Sequence, residues 1–244
     1  MNITFDIGNT RFKYAVFAEG NMLHNEILDL NTKNQIQIME TIDKYMINTN
    51  SVIVSNVGKF SELNYLNIKN KVKKLLIVSD KIKLPFKNKY NSNKSIGSDR
   101  IALASGAIKK FSGNPILIID IGTCITYDYL NENNYYFGGA ISPGIKIRLL
   151  SLNRFTNNLP NIDFKVPPSL IGDTTEGSIL SGVFYGILSE IDGKINMYQN
   201  ENSKLTVLLT GGDSRYFAGK LKNTIFVEKN LLLDGLNFLI EINE

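Results

Sequence analysis

The chain has 244 residues, of which 43% are hydrophobic and 20% charged, and its net charge is +4, a composition typical of globular proteins. Its lysines form no long basic stripe, which argues against a nucleic-acid partner. One cysteine and one histidine exclude a disulfide framework and a cysteine- or histidine-based zinc site. No apolar run reaches the ~20 residues that span a bilayer, and the chain enters a strand with no signal peptide, so we expect a cytoplasmic protein.

The first half of the chain predicts three strands followed by alternating helices and strands. Apolar and alternating patterns predict the strands, which cover residues 2–5, 11–19, 22–30, 51–55 and 75–78. Apolar residues at helical spacing predict the helices, which cover residues 34–48, 63–74 and 97–111. A polar loop with one proline is expected over residues 84–96. This order of elements is typical of actin-like and ribonuclease-H-like folds.

The second half repeats the opening pattern. A Ser-Gly-Asn-Pro segment at residues 112–115 indicates the domain boundary. The strands predicted after it cover residues 116–119, 125–130, 135–140 and 205–210, and the helices cover residues 175–198 and 231–240. We therefore predict an α/β protein of two actin-like (ribonuclease-H-like) halves, residues 1–113 and 114–244, with mixed sheets flanked by helices and the active site in the cleft between them.

One motif occurs twice, as ITFDIGNTRFK at residues 3–13 and as LIIDIGTCITYD at residues 117–128. Each copy is an apolar strand ending in Asp, then Ile-Gly, a small polar residue and a second strand. Glycine lets the backbone approach an anion, and Asn or Thr supplies hydrogen-bond donors, so the turn predicts phosphate binding. Asp6 and Asp120 are placed to hold a metal-bound water. Two such turns predict two halves that close on one nucleotide.

A second glycine-containing segment, Thr210-Gly211-Gly212, follows a predicted buried strand. Two glycines at the end of a strand leave space for a flat ring or a phosphate against the backbone. Alone, the segment fits a plain tight turn better. In a chain that already has two Asp-Gly turns, this segment predicts the element that contacts adenosine.

The segment Gly97-Ser98-Asp99-Arg100, at the start of a predicted helix, is the candidate for acceptor binding. Phosphoryl transfer needs a group that orients or deprotonates the acceptor hydroxyl, and Asp99 is that candidate. Arg100 would pair with a substrate carboxylate, which its guanidinium binds bidentately. The same two residues also fit an ordinary helix cap with a surface ion pair.

Six motifs together resemble a known family. They are DIGNTRFK at residues 6–13, GSDR at 97–100, DIGTCITYD at 120–128, GGAISPGI at 138–145, GDTTEGSILSG at 172–182 and TGGD at 210–213. In this order they closely resemble the motifs of type III pantothenate kinases, of the acetate and sugar kinase/Hsp70/actin superfamily, and the resemblance covers nearly the whole chain. It implies ATP-dependent phosphorylation of pantothenate to 4′-phosphopantothenate, the first step of coenzyme A synthesis. It also implies a homodimer that uses Mg²⁺ and a monovalent cation, K⁺ or NH₄⁺.

Carried over motif by motif, the resemblance also implies the residues of the site. The implied ATP contacts are Asp6, Ile7, Gly8, Asn9, Thr10, Arg11, Phe12, Lys13 and Thr123. Asp99 matches the family's proton acceptor, and Asp120 matches its monovalent-cation ligand. The implied substrate contacts are Tyr90, Gly97, Ser98, Asp99, Arg100 and Thr175.

Three other functions compete with this interpretation. Another small-molecule kinase of the same superfold would have similar Asp-Gly turns but would need a different partner for the Gly97-Ser98-Asp99-Arg100 segment. The same family includes proteins first described as transcription accessory factors; a binding-only protein should have lost Asp6, Asp99 or Asp120, and this chain has all three. A filament-forming or chaperone-like ATPase would need a larger chain with inserted subdomains.

Overall fold

The computed structural model describes residues 1–30, 40, 44–45, 49–58, 65–79, 81–91 and 96–244, here called the described residues. Its strands are β1 (Asn2–Ile7), β2 (Arg11–Ala18), β3 (Asn21–Asp29), β4 (Ser51–Asn56), β5 (Lys74–Ile77), β6 (Lys87–Asn88), β7 (Ile116–Ile121), β8 (Cys124–Leu130), β9 (Tyr135–Pro143), β10 (Thr206–Thr210) and β11 (Phe226–Val227). Its helices are α1 (Tyr65–Lys71), α2 (Ser98–Phe111), α3 (Ile145–Arg154), α4 (Thr175–Glu201) and α5 (Leu231–Asn243). Among the described residues, none of these helices is long and apolar enough to span a membrane.

The chain forms two compact units. The first consists of residues 1–112, 134–136 and 230–244, and the second of residues 113–133 and 137–229. The units therefore differ from the predicted halves in two segments, because helix α5 and the start of β9 group with the first unit. The division of the chain into functional domains stays a prediction.

The first unit is built on a five-stranded mixed sheet in the order β3-β2-β1-β4-β5. Strands β1, β2 and β3 are antiparallel, whereas β4 and β5 run parallel to β1. Strand β1 carries Ile3, Phe5 and Ile7 on one face and Asn2, Thr4 and Asp6 on the other, and it is almost wholly buried, as expected for a central strand covered on both sides. The parallel pairing of β1 with β4 places Asp6 beside Ser55, which brings two distant parts of the sequence together near the carboxyl ends of adjacent strands.

Helix α2 is held against helix α5 by glycines in the first unit. A Cβ on Gly106 would lie 2.3 Å from the carbonyl oxygen of Leu231, and a Cβ on Gly235 would lie 1.9 Å from that of Ala102. Only glycine permits backbones to approach this closely. This contact anchors the helix whose first residues include Asp99.

The second unit contains strands in the order β11-β10-β7-β8-β9, with β10 parallel and β8 antiparallel to β7. Its core includes Ile119, Tyr127, Phe184 and Leu209. The short strand β6 pairs with Tyr135 and Tyr136 at the start of β9, which cluster with the first unit.

The predicted α/β fold with two mixed sheets is confirmed, and most predicted elements are present. The predicted helix over residues 34–48 lies largely outside the described residues. The helix predicted to reach residue 74 ends at Lys71, because Lys74 pairs with Ser51 and opens β5. Helix α3 and the two-residue strands β6 and β11 were not predicted from sequence. Helix α3 follows a Pro-Gly pair and has only two buried residues, Ile145 and Leu149, so its apolar face is narrow.

Candidate active site

The first Asp-Gly turn connects β1 and β2. The Gly8 amide donates a hydrogen bond of 2.9 Å to the Arg11 carbonyl oxygen, which closes the turn. Asn9 and Thr10 between them are exposed, so the tip of the turn lies at the protein surface. The predicted contacts Ile7 and Phe12 are fully buried in the core, which leaves only their backbone groups for a nucleotide.

Asp6 lies at the end of β1, is 3% exposed and has a partner on each carboxylate oxygen. The Lys13 ammonium is 3.2 Å from Oδ2, and the Ser55 hydroxyl donates to Oδ1 over 3.1 Å. A buried carboxylate needs such partners, because burial removes its hydrating water and only an ion pair or hydrogen bonds can compensate for that loss. Lys13 therefore neutralises Asp6 in this structure.

Gly58, which the sequence interpretation did not single out, supports the first turn. A Cβ at this position would lie 2.1 Å from the Gly8 carbonyl oxygen. The amides of Val57 and Gly58 also donate to the Ile7 carbonyl, over 3.0 and 3.1 Å. Since this contact depends on the pairing of β1 with β4, no local pattern in the sequence could have found it.

The start of helix α2 fixes the carboxylate of Asp99. The Arg100 amide donates to Asp99 Oδ1 over 2.8 Å, and a Cβ on Gly97 would lie 2.6 Å from the same oxygen. A side chain at position 97 would therefore displace the Asp99 carboxylate from this position. The side chain of Asp99 remains partly exposed, as a group that contacts a substrate must be.

Ser98 turns away from the helix start and towards β4. No side chain caps the helix at Gly97. Instead, the Ser98 Oγ accepts a hydrogen bond of 3.0 Å from the Asn56 amide and lies 3.0 Å from the Ser55 Oγ. The segment Gly97-Ser98-Asp99-Arg100 is therefore linked to the first Asp-Gly turn.

Arg100 is 8% exposed and lies beside two tyrosines. Its guanidinium carbon is 5.6 Å from the ring centre of Tyr90 and 5.9 Å from that of Tyr136, distances at which the cation is attracted to an aromatic ring. Tyr136 is fully buried, also contacts Phe86, and was not identified from sequence. Tyr90 is 36% exposed and so reaches solvent beside the arginine.

The second Asp-Gly turn connects β7 and β8 in the second unit. The Gly122 amide donates to the Cys124 carbonyl over 2.9 Å, and Thr123 at the tip is exposed. The Gly144 amide donates to the Thr123 carbonyl over 3.1 Å, and a Cβ on Gly144 would lie 2.2 Å from the Gly122 carbonyl oxygen. The motif GGAISPGI therefore supports this turn.

The Asp120 carboxylate packs closely against Gly211. A Cβ on Gly211 would lie 2.3 Å from both Asp120 Oδ1 and the Ile121 carbonyl oxygen, and the φ of Gly211 is +95°. Thr210 is paired with Asp120 in the parallel strands. The predicted cation ligand and the predicted adenosine element are thus neighbours, and a carboxylate and a carbonyl oxygen lie close together there.

Thr175, the remaining predicted substrate contact, begins helix α4. It lines a cavity of about 950 Å³ in the second unit, together with Arg148, Ser151, Leu159, Ser178 and Val183. Arg148 is held by an ion pair with Glu190, which also accepts hydrogen bonds from Tyr127 and Ser142. Burial alone would raise the pKa of Glu190, but the hydrogen bonds from Ser142, Arg148 and Tyr127 outweigh it and lower that pKa.

Solved structures with the same fold define the class of protein. A ROK family glucokinase from Streptomyces griseus, solved with glucose and AMPPNP, aligns with a TM-score of 0.52 at 12% identity, over 99% of this chain and 98% of that one. A proposed Baf family transcriptional activator from Campylobacter jejuni aligns with a TM-score of 0.61 at 21% identity, over 99% of this chain and 98% of that one. The fold is therefore the actin-like fold of the sugar kinases.

Sequence comparison identifies the family within this class. The profile of the type III pantothenate kinase family matches residues 2–197. A type III pantothenate kinase from Christiangramia forsetii is 42% identical over 100% of this chain and 99% of that protein. Another from Flavobacterium johnsoniae is 40% identical over 97% of this chain and 96% of that protein. The chain belongs to the type III pantothenate kinase family.

Proposed function

We propose that this protein transfers the γ-phosphoryl group of ATP to the primary hydroxyl of pantothenate, which gives 4′-phosphopantothenate and ADP and begins coenzyme A synthesis. Family membership supports the reaction. The observation that carries it is the placement of Asp99 and Arg100 at the start of one buried helix. One residue can orient a hydroxyl, the next can bind a carboxylate, and pantothenate has both groups.

In the transfer, the hydroxyl oxygen forms a bond to the γ-phosphorus while the bond from that phosphorus to the bridging oxygen of ADP breaks. The hydroxyl proton passes to the Asp99 carboxylate. An ordinary aspartate is a weak base at neutral pH, but the proton leaves late in a loose transition state, so orientation of the hydroxyl contributes most. The Arg100 amide keeps the carboxylate in place for this task.

Pantothenate binding would involve the remaining predicted contacts. The Arg100 fork pairs with the carboxylate of the substrate, while Tyr90 covers the arginine on its solvent side. Gly97 and Ser98 provide the backbone at the helix start, and Thr175 adds a contact from helix α4. The buried ring of Tyr136 restricts the orientations open to the guanidinium.

ATP would bind through the turn from Asp6 to Lys13, with Thr123 as a further contact. The exposed Asn9 and Thr10 offer donors to phosphate oxygens, and Lys13 adds a positive charge next to them. A divalent cation, Mg²⁺, would neutralise charge on the phosphates when bound. We expect the Asp6 carboxylate to hold it through water.

A monovalent cation fits the oxygen atoms beside Gly211. Hard cations prefer carboxylate and carbonyl oxygens, and Asp120 Oδ1 and the Ile121 carbonyl oxygen lie close together beside the Gly211 backbone. When bound, K⁺ or NH₄⁺ would supply positive charge close to the nucleotide. We further propose a cytoplasmic homodimer with no nucleic-acid or membrane partner, as the family resemblance and the composition imply.

Release of ADP by the purified protein tests this function. The assay contains ATP, Mg²⁺ and pantothenate, with K⁺ present or replaced by Na⁺. Pantothenate-dependent turnover that collapses in Na⁺ would support both the reaction and the cation site at Asp120. Turnover that is indifferent to the cation would keep the kinase and remove the role of Asp120. No pantothenate-dependent turnover would favour another acceptor or a non-catalytic accessory factor.

A further inference from the structure

Ser55 is a buried polar residue at the point where the two motifs of the first unit meet. It lies on β4 directly beside Asp6 of β1 and is fully buried. Its Oγ is 3.1 Å from Asp6 Oδ1 and 3.0 Å from the Ser98 Oγ. Burial of a hydroxyl is unfavourable unless it is hydrogen-bonded, so its surroundings must satisfy it.

The direction of these hydrogen bonds follows from the number of protons available. A carboxylate paired with Lys13 can only accept, so the single Ser55 proton points to Asp6. The Ser98 hydroxyl then donates to Ser55, and its oxygen accepts from the Asn56 amide. The result is one continuous chain from Asn56 through Ser98 and Ser55 to Asp6, in which each bond polarises the next.

This chain joins the two sides of the proposed reaction. At one end, Asp6 belongs to the turn assigned to the phosphates of ATP. At the other, Ser98 is the first residue of α2 and directly precedes Asp99, which is assigned to the acceptor hydroxyl. Ser55 touches neither substrate in this assignment but is bonded to a neighbour of each.

We infer that Ser55 is a positioning residue for phosphoryl transfer, an inference that rests on the proposed function. Ser55 fixes the start of helix α2 relative to the Asp6 carboxylate, and it thereby sets the approach of the acceptor hydroxyl to the phosphate. Transfer rates depend steeply on such alignment, and a displacement of about 1 Å can lower a rate about 100-fold. Loss of the Ser55 hydroxyl removes none of the groups that bind ATP and pantothenate. It should therefore lower kcat more than it raises either KM.

The primary experiment compares Ser55→Ala with the matched control Ser105→Ala. Ser105 is also fully buried and lies on helix α2, but its hydroxyl donates to the Ile101 carbonyl over 2.8 Å. Both are assayed below the lower of their two Tm values, with ATP, Mg²⁺, K⁺ and pantothenate. We expect Ser55→Ala to lose about 10- to 100-fold in kcat with both KM values within about threefold, and Ser105→Ala to keep the wild-type kcat.

A double-mutant cycle tests whether Ser55 acts through Ser98. If it does, the kcat loss of Ser55→Ala combined with Ser98→Ala is smaller than the product of the two single losses. Losses that multiply would overturn the inference. If Ser55→Ala does not fold, Ser55→Cys, whose thiol is a weaker donor, is compared with Ser105→Cys under the same criteria.

The outcomes separate the inference from the function beneath it. An active wild type in which Ser55→Ala and Ser105→Ala have equal kcat values would overturn the role of Ser55 and leave the kinase intact. A wild type with no activity on pantothenate would overturn the proposed function, and the role of Ser55 in that reaction with it. A kcat loss confined to Ser55→Ala, without a matching rise in KM, supports both.

Discussion

The two Asp-Gly turns have the same backbone plan but different surroundings. In each, a buried strand leads into a glycine turn, and the next parallel strand ends in a segment whose glycine approaches the turn closely: Gly58 in the first unit and Gly211 in the second. The residue opposite the aspartate differs. Lys13 pairs with Asp6 across the first hairpin, whereas Thr126 stands opposite Asp120 in the second.

This difference assigns different chemistry to a repeated motif. In the first turn, a lysine neutralises the carboxylate, and Ser55 connects it to the helix that carries Asp99. In the second, a carboxylate oxygen and a carbonyl oxygen lie together beside Gly211, a set of ligands that hard cations prefer. We therefore propose that the repeat encodes a shared backbone, while the cross-strand neighbours set what each turn binds.

Asp99→Asn should have the largest effect, because it removes the carboxylate proposed to orient the acceptor hydroxyl. Loss of a general base or orienting carboxylate costs about 10²- to 10⁴-fold in rate, so we expect kcat to fall by that factor while ATP still binds. Steady-state kinetics and calorimetric titration with ATP measure the two effects. Asp163→Asn, at an exposed position, is the control. Equal turnover in the wild type and in Asp99→Asn would contradict the role assigned to Asp99.

Arg100→Ala should chiefly weaken pantothenate binding. A hydrogen bond to a charged group contributes about 1.5–3 kcal/mol, so the KM for pantothenate should rise about 10- to 100-fold with a smaller change in kcat. Arg100→Lys keeps the positive charge but loses the bidentate guanidinium, so its KM for pantothenate should lie between those of the wild type and Arg100→Ala. An unchanged KM in Arg100→Ala would show that the carboxylate binds elsewhere.

Alanine at the two supporting glycines tests the difference between the two turns. Gly58→Ala forces a Cβ against the Gly8 backbone. Gly211→Ala puts an alanine at a positive φ, which is unfavourable for a residue with a side chain. Each variant should therefore lower the free energy of unfolding by about 1–3 kcal/mol. Gly58→Ala should raise the KM for ATP, whereas Gly211→Ala should raise the concentration of K⁺ needed for half-maximal rate. Denaturant unfolding and kinetics measure these effects.

Gly193→Ala is the matched control for both glycine variants. A Cβ there meets no atom within 4 Å, and the residue lies inside helix α4, so alanine should stabilise the protein by about 0.5–1 kcal/mol. If Gly58→Ala and Gly211→Ala change the same kinetic constant, the distinction between the two turns is wrong.

Glu190→Gln should have the smallest effect, and one that depends on pH. Since the folded-state pKa of Glu190 is lowered, its ionised form stabilises the fold above the ordinary value of 4.5, and this stabilisation disappears as pH falls through the folded-state pKa. At pH 7 we expect a loss of about 1–2 kcal/mol that shrinks below pH 4.5. Unfolding at several pH values measures it against Glu132→Gln, an exposed control; a pH-independent difference would contradict the assigned charge.

Local patterns were sufficient to predict the strands around both turns and helix α2. The roles of Ser55 and Gly58 could not be predicted, because they arise from the parallel pairing of β1 with β4, which joins residues about fifty positions apart. Tyr136 was missed for the same reason, since its neighbours Phe86 and Arg100 come from other elements. The chemistry of Asp99 was predicted from its motif, whereas its fixed position required the structure.

Transfer of labelled phosphate is the most direct test of the central claim. The purified protein is incubated with Mg²⁺, K⁺ and ATP labelled on the γ-phosphorus, together with pantothenate or with a panel of sugars, and the labelled products are identified. We predict label on pantothenate as 4′-phosphopantothenate, none on the sugars, and a loss of labelling in Asp99→Asn. Label on a sugar, or none on pantothenate in the presence of K⁺, would contradict the account.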